Sequence, residues 1–321
     1  MTGETRAAQA LWIAAPKQAE LRDVQFDVPD GHVVIDTMFT GISRGTERLV
    51  FEGRVPESEN QTMRAPFQEG EFPGPVKYGY AGVGRIAQSD DIVFALFPHQ
   101  TAFAIPPEAA VPVPPTVPAE RAVLAANMET ALNILWDAGV QPGDRVAIVG
   151  SGVVGALVGY LSARIPGTEV CLIDIVPGRA ALADALGCDF AEPQAAGGDA
   201  DVVIHASATA AGLATAISLA GLEAAIVEAS WYGTGTVDAP LGGRFHQRRL
   251  RLVGSQVGRI PPSHAARWTY RRRLQKALDL LADPALDVLI SGETQFTDLV
   301  RRYEGILADP ATLCHRVRFG G

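Results

Sequence analysis

The residues of this chain whose types and spacing can do chemistry start with Arg145-Val-Ala-Ile-Val-Gly150-Ser-Gly152-Val-Val-Gly155, where an apolar run stops at three glycines spaced G-x-G-x-x-G. The pattern predicts a strand, a tight turn and a helix start. Gly150 and Gly152 allow the backbone to approach a ligand closely, and Gly155 lets the helix pack near the strand. The N–H groups at the helix start, around Val153 and Val154, then face a pyrophosphate. A second apolar run, Glu169-Val-Cys-Leu-Ile, ends in Asp174. A carboxylate there is placed to accept both hydroxyls of an adenosine ribose, so the expected cofactor is NAD(H). Arg179, five residues on, would either turn towards the 2′-phosphate of NADP(H), the less expected cofactor, or flank the adenine.

Further polar residues sit at the ends of apolar runs. Asp201-Val-Val-Ile-His205-Ala206-Ser207 and Ala224-Ala-Ile-Val-Glu-Ala-Ser230 read as strands that bring His205, Ala206 and Ser230 to the path of the cofactor. Trp231 and Tyr232 follow, placed to line a nicotinamide pocket or to pack at a subunit interface. His246 lies in Gly243-Arg-Phe-His-Gln-Arg, inside a stretch from Arg244 to Lys276 with ten Lys or Arg and no Asp or Glu. That stretch reads either as a positive wall facing a pyrophosphate or an acidic substrate, or as a solvated face. Arg271, Arg272 and Arg273 favour the solvated face. Arg244, Arg248 and Arg249 leave the two readings balanced.

The elements that must position these groups divide in two. Residues 7 to 40 read as short strands and turns, followed by Gly41-Ile-Ser43-Arg44-Gly45-Thr46-Glu47 leading into a short helix. A Pro-, Glu- and Gln-rich loop spans Pro56 to Pro75, a length typical of lids and binding elements. Next comes Tyr78-Gly79-Tyr80-Ala81-Gly82-Val83-Gly84-Arg85-Ile86, a Gly-rich strand whose backbone must lie close to something. His99 ends the following stretch as a loop residue. Proline-studded residues 105 to 118 mark a boundary, a helical pattern runs from Ala119 to Ala138, and the glycine turn follows. The fold class is therefore α/β, with a β-rich part ahead of the proline-studded boundary and a βαβ unit at the glycine turn after it.

Composition limits the alternatives. With 321 residues, 47% of them hydrophobic, the chain can bury two cores. Its net charge of −9 argues against general nucleic-acid binding. The start, Met1-Thr-Gly-Glu-Thr-Arg, lacks signal-peptide order, and no apolar run is long enough to span a membrane, so a cytoplasmic location without membrane partners is expected. Cys171, Cys188 and Cys314 are far apart, which fits reduced thiols and excludes a Cys-x-x-Cys zinc cluster.

In the order of these parts the chain resembles, over essentially its whole length, the medium-chain dehydrogenase/reductase superfamily. The matching pieces are Gly41-Ile42-Ser43, Gly79-Tyr80-Ala81-Gly82-Val83-Gly84-Arg85-Ile86, Thr130-Ala131 and the glycine turn. The resemblance implies a GroES-like β domain that carries the substrate site, residues 1 to 118 and 256 to 321, a Rossmann domain with a doubly wound parallel sheet, residues 119 to 255, and a homodimer formed through the sixth Rossmann strand, Leu250-Arg-Leu-Val-Gly-Ser255. Gly41 to Glu47 followed by Phe51-Glu-Gly-Arg-Val-Pro56 looks locally like the bacteriochlorophyllide a dehydrogenase branch, which oxidises a hydroxyethyl side chain on a tetrapyrrole.

The departures from that family matter equally. Its catalytic zinc ligands fall at Ser43 or Arg44, Tyr80, and Ala126 or Asn127, and its accompanying Glu is Ala81, so no zinc is expected. A phenol at Tyr80 would take over the proton work that zinc does elsewhere, with Ser43 and Thr46 as relay and Arg44, His246 and Trp231 towards a small, acidic substrate. The expected activity is zinc-independent, NAD(H)-dependent hydride transfer between an alcohol and a carbonyl. Reduction of an activated C=C bond, as in quinone or enoyl reductases, and a non-catalytic NAD(H)-binding role remain open.

Overall fold

The computed structural model describes residues 4 to 320; Met1 to Gly3, part of the N-terminal stretch read above, and Gly321 lie outside the described residues. The chain forms two compact units, residues 1–126 with 274–321, and residues 127–273. The sequence expectation drew these limits at 118/119 and 255/256.

The first unit is built on β-strands β1 (Glu4–Ala15), β2 (Gln18–Val28), β3 (Val33–Ser43), β4 (Glu69–Gly70), β5 (Val76–Lys77), β6 (Gly82–Ile86), β7 (Ile92–Ala95), β8 (Ala102–Ile105) and β9 (Val111–Pro112). β1 and β2 form a long antiparallel hairpin, with Leu11 opposite Leu21, in a four-stranded sheet ordered β2-β1-β5-β4. Helices α1 (Arg44–Phe51) and α2 (Ala119–Ala122) complete the early part, and α3 (Ala125–Ala138) begins here. Pro118 starts α2, and the helical pattern expected as continuous from Ala119 is interrupted at 123–124.

The second unit is a parallel six-stranded sheet of β10 (Arg145–Val149), β11 (Glu169–Ile173), β12 (Asp189–Ala191), β13 (Ala200–His205), β14 (Ala220–Glu228) and β15 (Arg251–Gly254), in the order β12-β11-β10-β13-β14-β15. That is the doubly wound order of a Rossmann domain, with its switch point between β10 and β13. The strand interiors are mainly apolar, as sheets covered on both faces require, with Asp201 in β13 and Glu223 in β14 exposed towards the N-terminal ends of their strands. Helices α4 (Val153–Ser162), α5 (Arg179–Leu186) and α6 (Ala210–Leu219) alternate with the strands, and α7 (Pro262–Ala265) and the start of α8 (Tyr270–Asp279) follow β15.

The chain then returns to the first unit as β16 (Ile290–Gln295), α9 (Leu299–Ala308) and β17 (Cys314–Arg318). These strands extend the second sheet of that unit, ordered β16-β17-β3-β6-β7-β9 with β8 on β3. The whole is an α/β fold with a GroES-like β domain and a Rossmann domain, as expected. Among the described residues no helix is long and apolar enough to cross a membrane.

Candidate active site

In the β unit, β3 delivers Ser43 to the start of α1, and the turn between β5 and β6 delivers Tyr80. The side chains of Ser43 and Thr46 both hydrogen-bond the Tyr80 hydroxyl. The three residues expected to handle a proton are thus brought together. Burial pushes the Tyr80 phenol up to about 12; the two hydroxyl partners oppose that rise, and the nearby Glu47 and Cys314 add to it. Tyr80 therefore holds its proton throughout the neutral range.

Behind these hydroxyls lies a network that sequence reading missed. Glu47, 1% exposed, accepts the Ser43 backbone N–H on Oε1 at 2.7 Å and the Tyr303 hydroxyl on Oε2 at 2.8 Å. His99 Nε2 lies 3.0 Å from Oε2, and its Nδ1 lies 2.6 Å from Thr40 Oγ1. His99 is thus buried between two partners, where the sequence suggested a loop residue. Its ring is also what the Gly-rich segment approaches: Gly79 has φ +119°, and a Cβ there would lie 2.9 Å from the His99 ring. The signal available in the sequence was Glu47 itself, an acid among apolar helix positions. Its partner Tyr303 is 256 residues away.

Arg44, expected towards substrate, instead places Nε 3.1 Å from the carbonyl of Leu307 in the last turn of α9. A cation on orphan helix carbonyls is a stabilising arrangement.

In the second unit, the glycine turn fits a dinucleotide on its own geometry. Gly150 has φ +105°, and a Cβ on it would lie 2.7 Å from Ser207 N. A Cβ on Gly155 would lie 2.0 Å from the Gly150 carbonyl, whereas Gly152, the N-cap of α4, faces open space. Val153 is buried and Val154 half-buried in the first turn of α4. Ser151 is fully buried, and its Oγ has no protein partner. An orphaned hydroxyl in a turn opening on a helix N-terminus suits an anion's oxygens. Asp174 Oδ2 accepts the Ser151 N–H at 2.7 Å and Oδ1 the Val176 N–H at 3.0 Å, fixing the carboxyl beside the turn with lone pairs to spare. Arg179 opens α5 but is buried, at 9% exposure, not extended into solvent.

At the C-terminal ends of β13 and β14 stands a chain of polar groups. Glu228 accepts from His205 Nδ1 on Oε2 at 2.8 Å and from the Ser230 N–H on Oε1 at 2.9 Å. The Tyr232 hydroxyl adds a bond to Oε2 at 3.0 Å. Burial works against the charge on Glu228, but the bonds from His205 and Ser230 outweigh it and hold the carboxyl below its ordinary range. On its other side His205 Nε2 lies 2.7 Å from Ser207 Oγ. At the far end Thr209 Oγ1 accepts the Gly212 N–H at 3.0 Å and lies 3.1 Å from Ser207 Oγ, which closes a continuous hydrogen-bonded chain. Ala206 N bonds back to Val149 O, and Ser230 Oγ accepts from Ala208 N.

Part of the basic stretch is taken up in ion pairs. Arg248 pairs with Asp199 at 3.1 Å and Arg249 with Glu223 at 2.8 Å, at the N-terminal ends of β13 and β14. His246, exposed, lies on the same short turn, at the opposite strand ends from His205 and Ser230. Arg273 is buried against Glu129 and Val257 O and is no part of a solvated face. Arg272 lies over Trp268 at 4.0 Å. Trp231 is half-buried in the loop after β14. Among the described residues, no three His, Cys, Asp or Glu side chains are grouped to share a metal ion.

No protein-family model matches the chain. Solved structures do. L-Idonate 5-dehydrogenase from Escherichia coli superposes with a TM-score of 0.81 at 16% identity, covering 99% of this chain and 100% of that one. A zinc-binding-type dehydrogenase from Sinorhizobium meliloti, solved with NADP, gives 0.75 at 18% identity over 98% and 99%. 2R,3R-Butanediol dehydrogenase from Bacillus subtilis gives 0.77 at 16% identity over 97% and 99%. The likeness runs end to end and establishes the fold.

Proposed function

We propose that this protein is a member of the medium-chain dehydrogenase/reductase superfamily that moves a hydride between NAD(H) and an alcohol/carbonyl substrate without zinc. The observation that carries the reading is the Tyr80 hydroxyl bonded by Ser43 and Thr46. Two hydroxyls and a phenol, with Ala126 and Asn127 at the remaining places, do not fit Zn²⁺, which takes thiolate, imidazole and carboxylate ligands. The reaction is therefore derived without metal.

A bound nicotinamide would supply or accept the hydride. Hydride delivery to a carbonyl leaves an alkoxide, and Tyr80, which keeps its proton at neutral pH, donates that proton to the oxygen. Ser43 and Thr46 then donate to the phenolate and lead to its reprotonation. In the direction of oxidation the alcohol gives its proton to Tyr80 as Tyr80 passes its own through Ser43 and Thr46 to solvent. The Glu47 network fixes Ser43 by its backbone N–H and so holds the relay in place.

The pyrophosphate would lie on the Gly150 to Gly155 turn, and Asp174 would take the adenosine ribose hydroxyls. Ile175, 79% exposed beside Asp174, offers an apolar face to the adenine. Ser207 Oγ, held by His205 and Thr209, suits a hydroxyl or amide group of the cofactor. The buried position of Arg179 supports NAD(H) over NADP(H), although the S. meliloti protein was solved with NADP. The exposed edge of β15, with Leu252 43% exposed, supports a homodimer paired strand to strand. The three free cysteines fit a cytoplasmic location.

Titration of chelator-treated protein with NADH and with NADPH, followed by nicotinamide fluorescence, tests the reading. Tight NADH binding without added metal is the expected result. Failure to bind either nucleotide would end the oxidoreductase assignment.

A further inference from the structure

A doubly wound sheet takes one nucleotide over the C-terminal strand ends of each of its halves. Over β10 to β12 the carboxylate is Asp174, fixed beside the glycine turn. Over β13 to β15 it is Glu228, the last residue of β14, with His205, the last residue of β13, directly opposite it in the sheet. Paired residues of neighbouring strands share a face, so the two side chains rise together on the side covered by α6, where Gly212 leaves room for the His205 ring.

Glu228 keeps its charge with no permanent cation beside it. Its partners are His205 Nδ1 at 2.8 Å, the Ser230 N–H at 2.9 Å and the Tyr232 hydroxyl at 3.0 Å, and among the described residues no Lys or Arg pairs with it. The side chain is 16% exposed at the crevice end of its strand, whereas His205 is fully buried. Burial opposes ionisation of Glu228, and the bonds from His205 and Ser230 overcome it and hold the carboxyl below its ordinary range.

The ionisable groups that face His205 are Glu228 and Tyr232. Burial pushes the Tyr232 phenol well up and the Glu228 charge adds to the rise, so Tyr232 stays neutral. β10 brings Val149 alongside His205, and α6, from Ala210 to Leu219, contains no ionisable side chain. The pair therefore carries one negative charge while the imidazole is neutral and none once it is protonated.

We infer that Glu228, with His205 as its partner, makes this half of the crevice selective for a cationic ring, and so for the oxidised, pyridinium form of the nicotinamide nucleotide over the uncharged reduced form. The inference rests on the nucleotide-binding reading above. The two forms of the cofactor carry the same pyrophosphate and the same riboses and differ by one charge on the ring. A carboxylate on this side of the crevice therefore acts on the difference between them, and a low effective dielectric strengthens that action. A carboxylate that served only to hold His205 and Ser207 in place would weaken or strengthen both forms alike.

Dissociation constants for NAD⁺ and NADH are measured on the full chain at pH 8 by titration calorimetry, and thermal melts confirm that each variant is folded. The readout is the ratio Kd(NADH)/Kd(NAD⁺), in which losses common to both forms cancel. Glu228→Gln, neutral and of the same size, is expected to lower the ratio by about threefold or more, and Glu228→Asp, which keeps the charge, to hold it within about twofold of wild type. In the wild type, lowering the pH from 8 to 6 protonates His205 and cancels the same charge, so the ratio should fall, and His205→Gln should remove that dependence. The pH comparison decides the matter if Glu228→Gln does not fold. A ratio unchanged by Glu228→Gln, lowered equally by Glu228→Asp, or independent of pH in the wild type overturns the inference. Binding of neither form to folded wild-type protein ends the nucleotide reading and this inference with it, whereas binding with an unchanged ratio ends this inference alone.

Discussion

A methyl group on Gly212 would lie 2.7 Å from Nε2 of His205 and 2.0 Å from Oγ of Ser207. Only glycine leaves room at that point of α6 for the serine hydroxyl to reach the buried imidazole. Gly212→Ala should therefore expel Ser207 and leave His205 Nε2 unpaired in a buried site, at a cost of about 1–3 kcal/mol. The expected outcome is a lower melting temperature together with roughly tenfold weaker NADH binding. Binding unchanged from wild type would remove Ser207 from the cofactor site.

The Tyr80 hydroxyl is the second point of test. Tyr80→Phe keeps the ring and its edge contact with Tyr78, whose centroid is 5.9 Å away, but removes the proton. Turnover with the best alcohol or ketone found by screening should fall by about 10²- to 10⁴-fold. NADH affinity should stay within a factor of two. A variant that turns over normally would make Tyr80 an aromatic filler and move the acid elsewhere.

Glu47 tests what holds the relay. Its carboxyl group serves three donors, from Ser43, His99 and Tyr303, at 1% exposure. Glu47→Gln keeps the volume but puts an NH₂ where donors converge, so the variant should lose about 2–4 kcal/mol of stability. Urea unfolding measures that loss. Since Ser43 is positioned through its backbone N–H, turnover should drop as well, with NADH affinity retained.

The second unit was legible in the sequence because its signals are local. Strand, turn and helix of the glycine motif occupy eleven consecutive residues, and Asp174 ends the next strand, so five of the six strands of the parallel sheet can be read from hydrophobic runs. β12, only three residues long, left no such run. The Tyr80, Ser43 and Thr46 group was reached through resemblance of two short segments, and the fold brings those segments together. What stayed hidden were partners chosen by tertiary folding: Tyr303 for Glu47, Asp199 for Arg248, and Glu129 for Arg273. A charge run carries no information about which distant acid will meet it. The arginines therefore read as one surface although they are spread over separate ion pairs. Arg44 misled for the same reason, since its acceptor is a backbone carbonyl of a helix more than 250 residues later.

The buried acids of the β unit predict how stability depends on alkaline pH. Burial pushes Cys314 from 9.0 to about 12 and Tyr80 from 10.0 to about 12, and Tyr78 and Tyr303 are also driven well up by burial. Each group keeps its proton in the folded state at pH values where the unfolded chain has released it. The folded state then binds more protons than the unfolded one, so stability falls as pH rises. Below pH 9 the contribution is complete and flat. Between pH 9 and 10 Cys314 and Cys188, which burial also pushes from 9.0 to about 12, should together give a slope of up to about 2.7 kcal/mol per pH unit, with Cys171 raised in the same direction, and from pH 10 to 12 the tyrosines steepen it. Urea unfolding at closely spaced pH values should trace this curve. Cys314→Ala should lower the slope between pH 9 and 10 by up to about 1.4 kcal/mol per pH unit, while a wild-type curve flat to pH 11 would mean that these groups are more hydrated than their burial indicates.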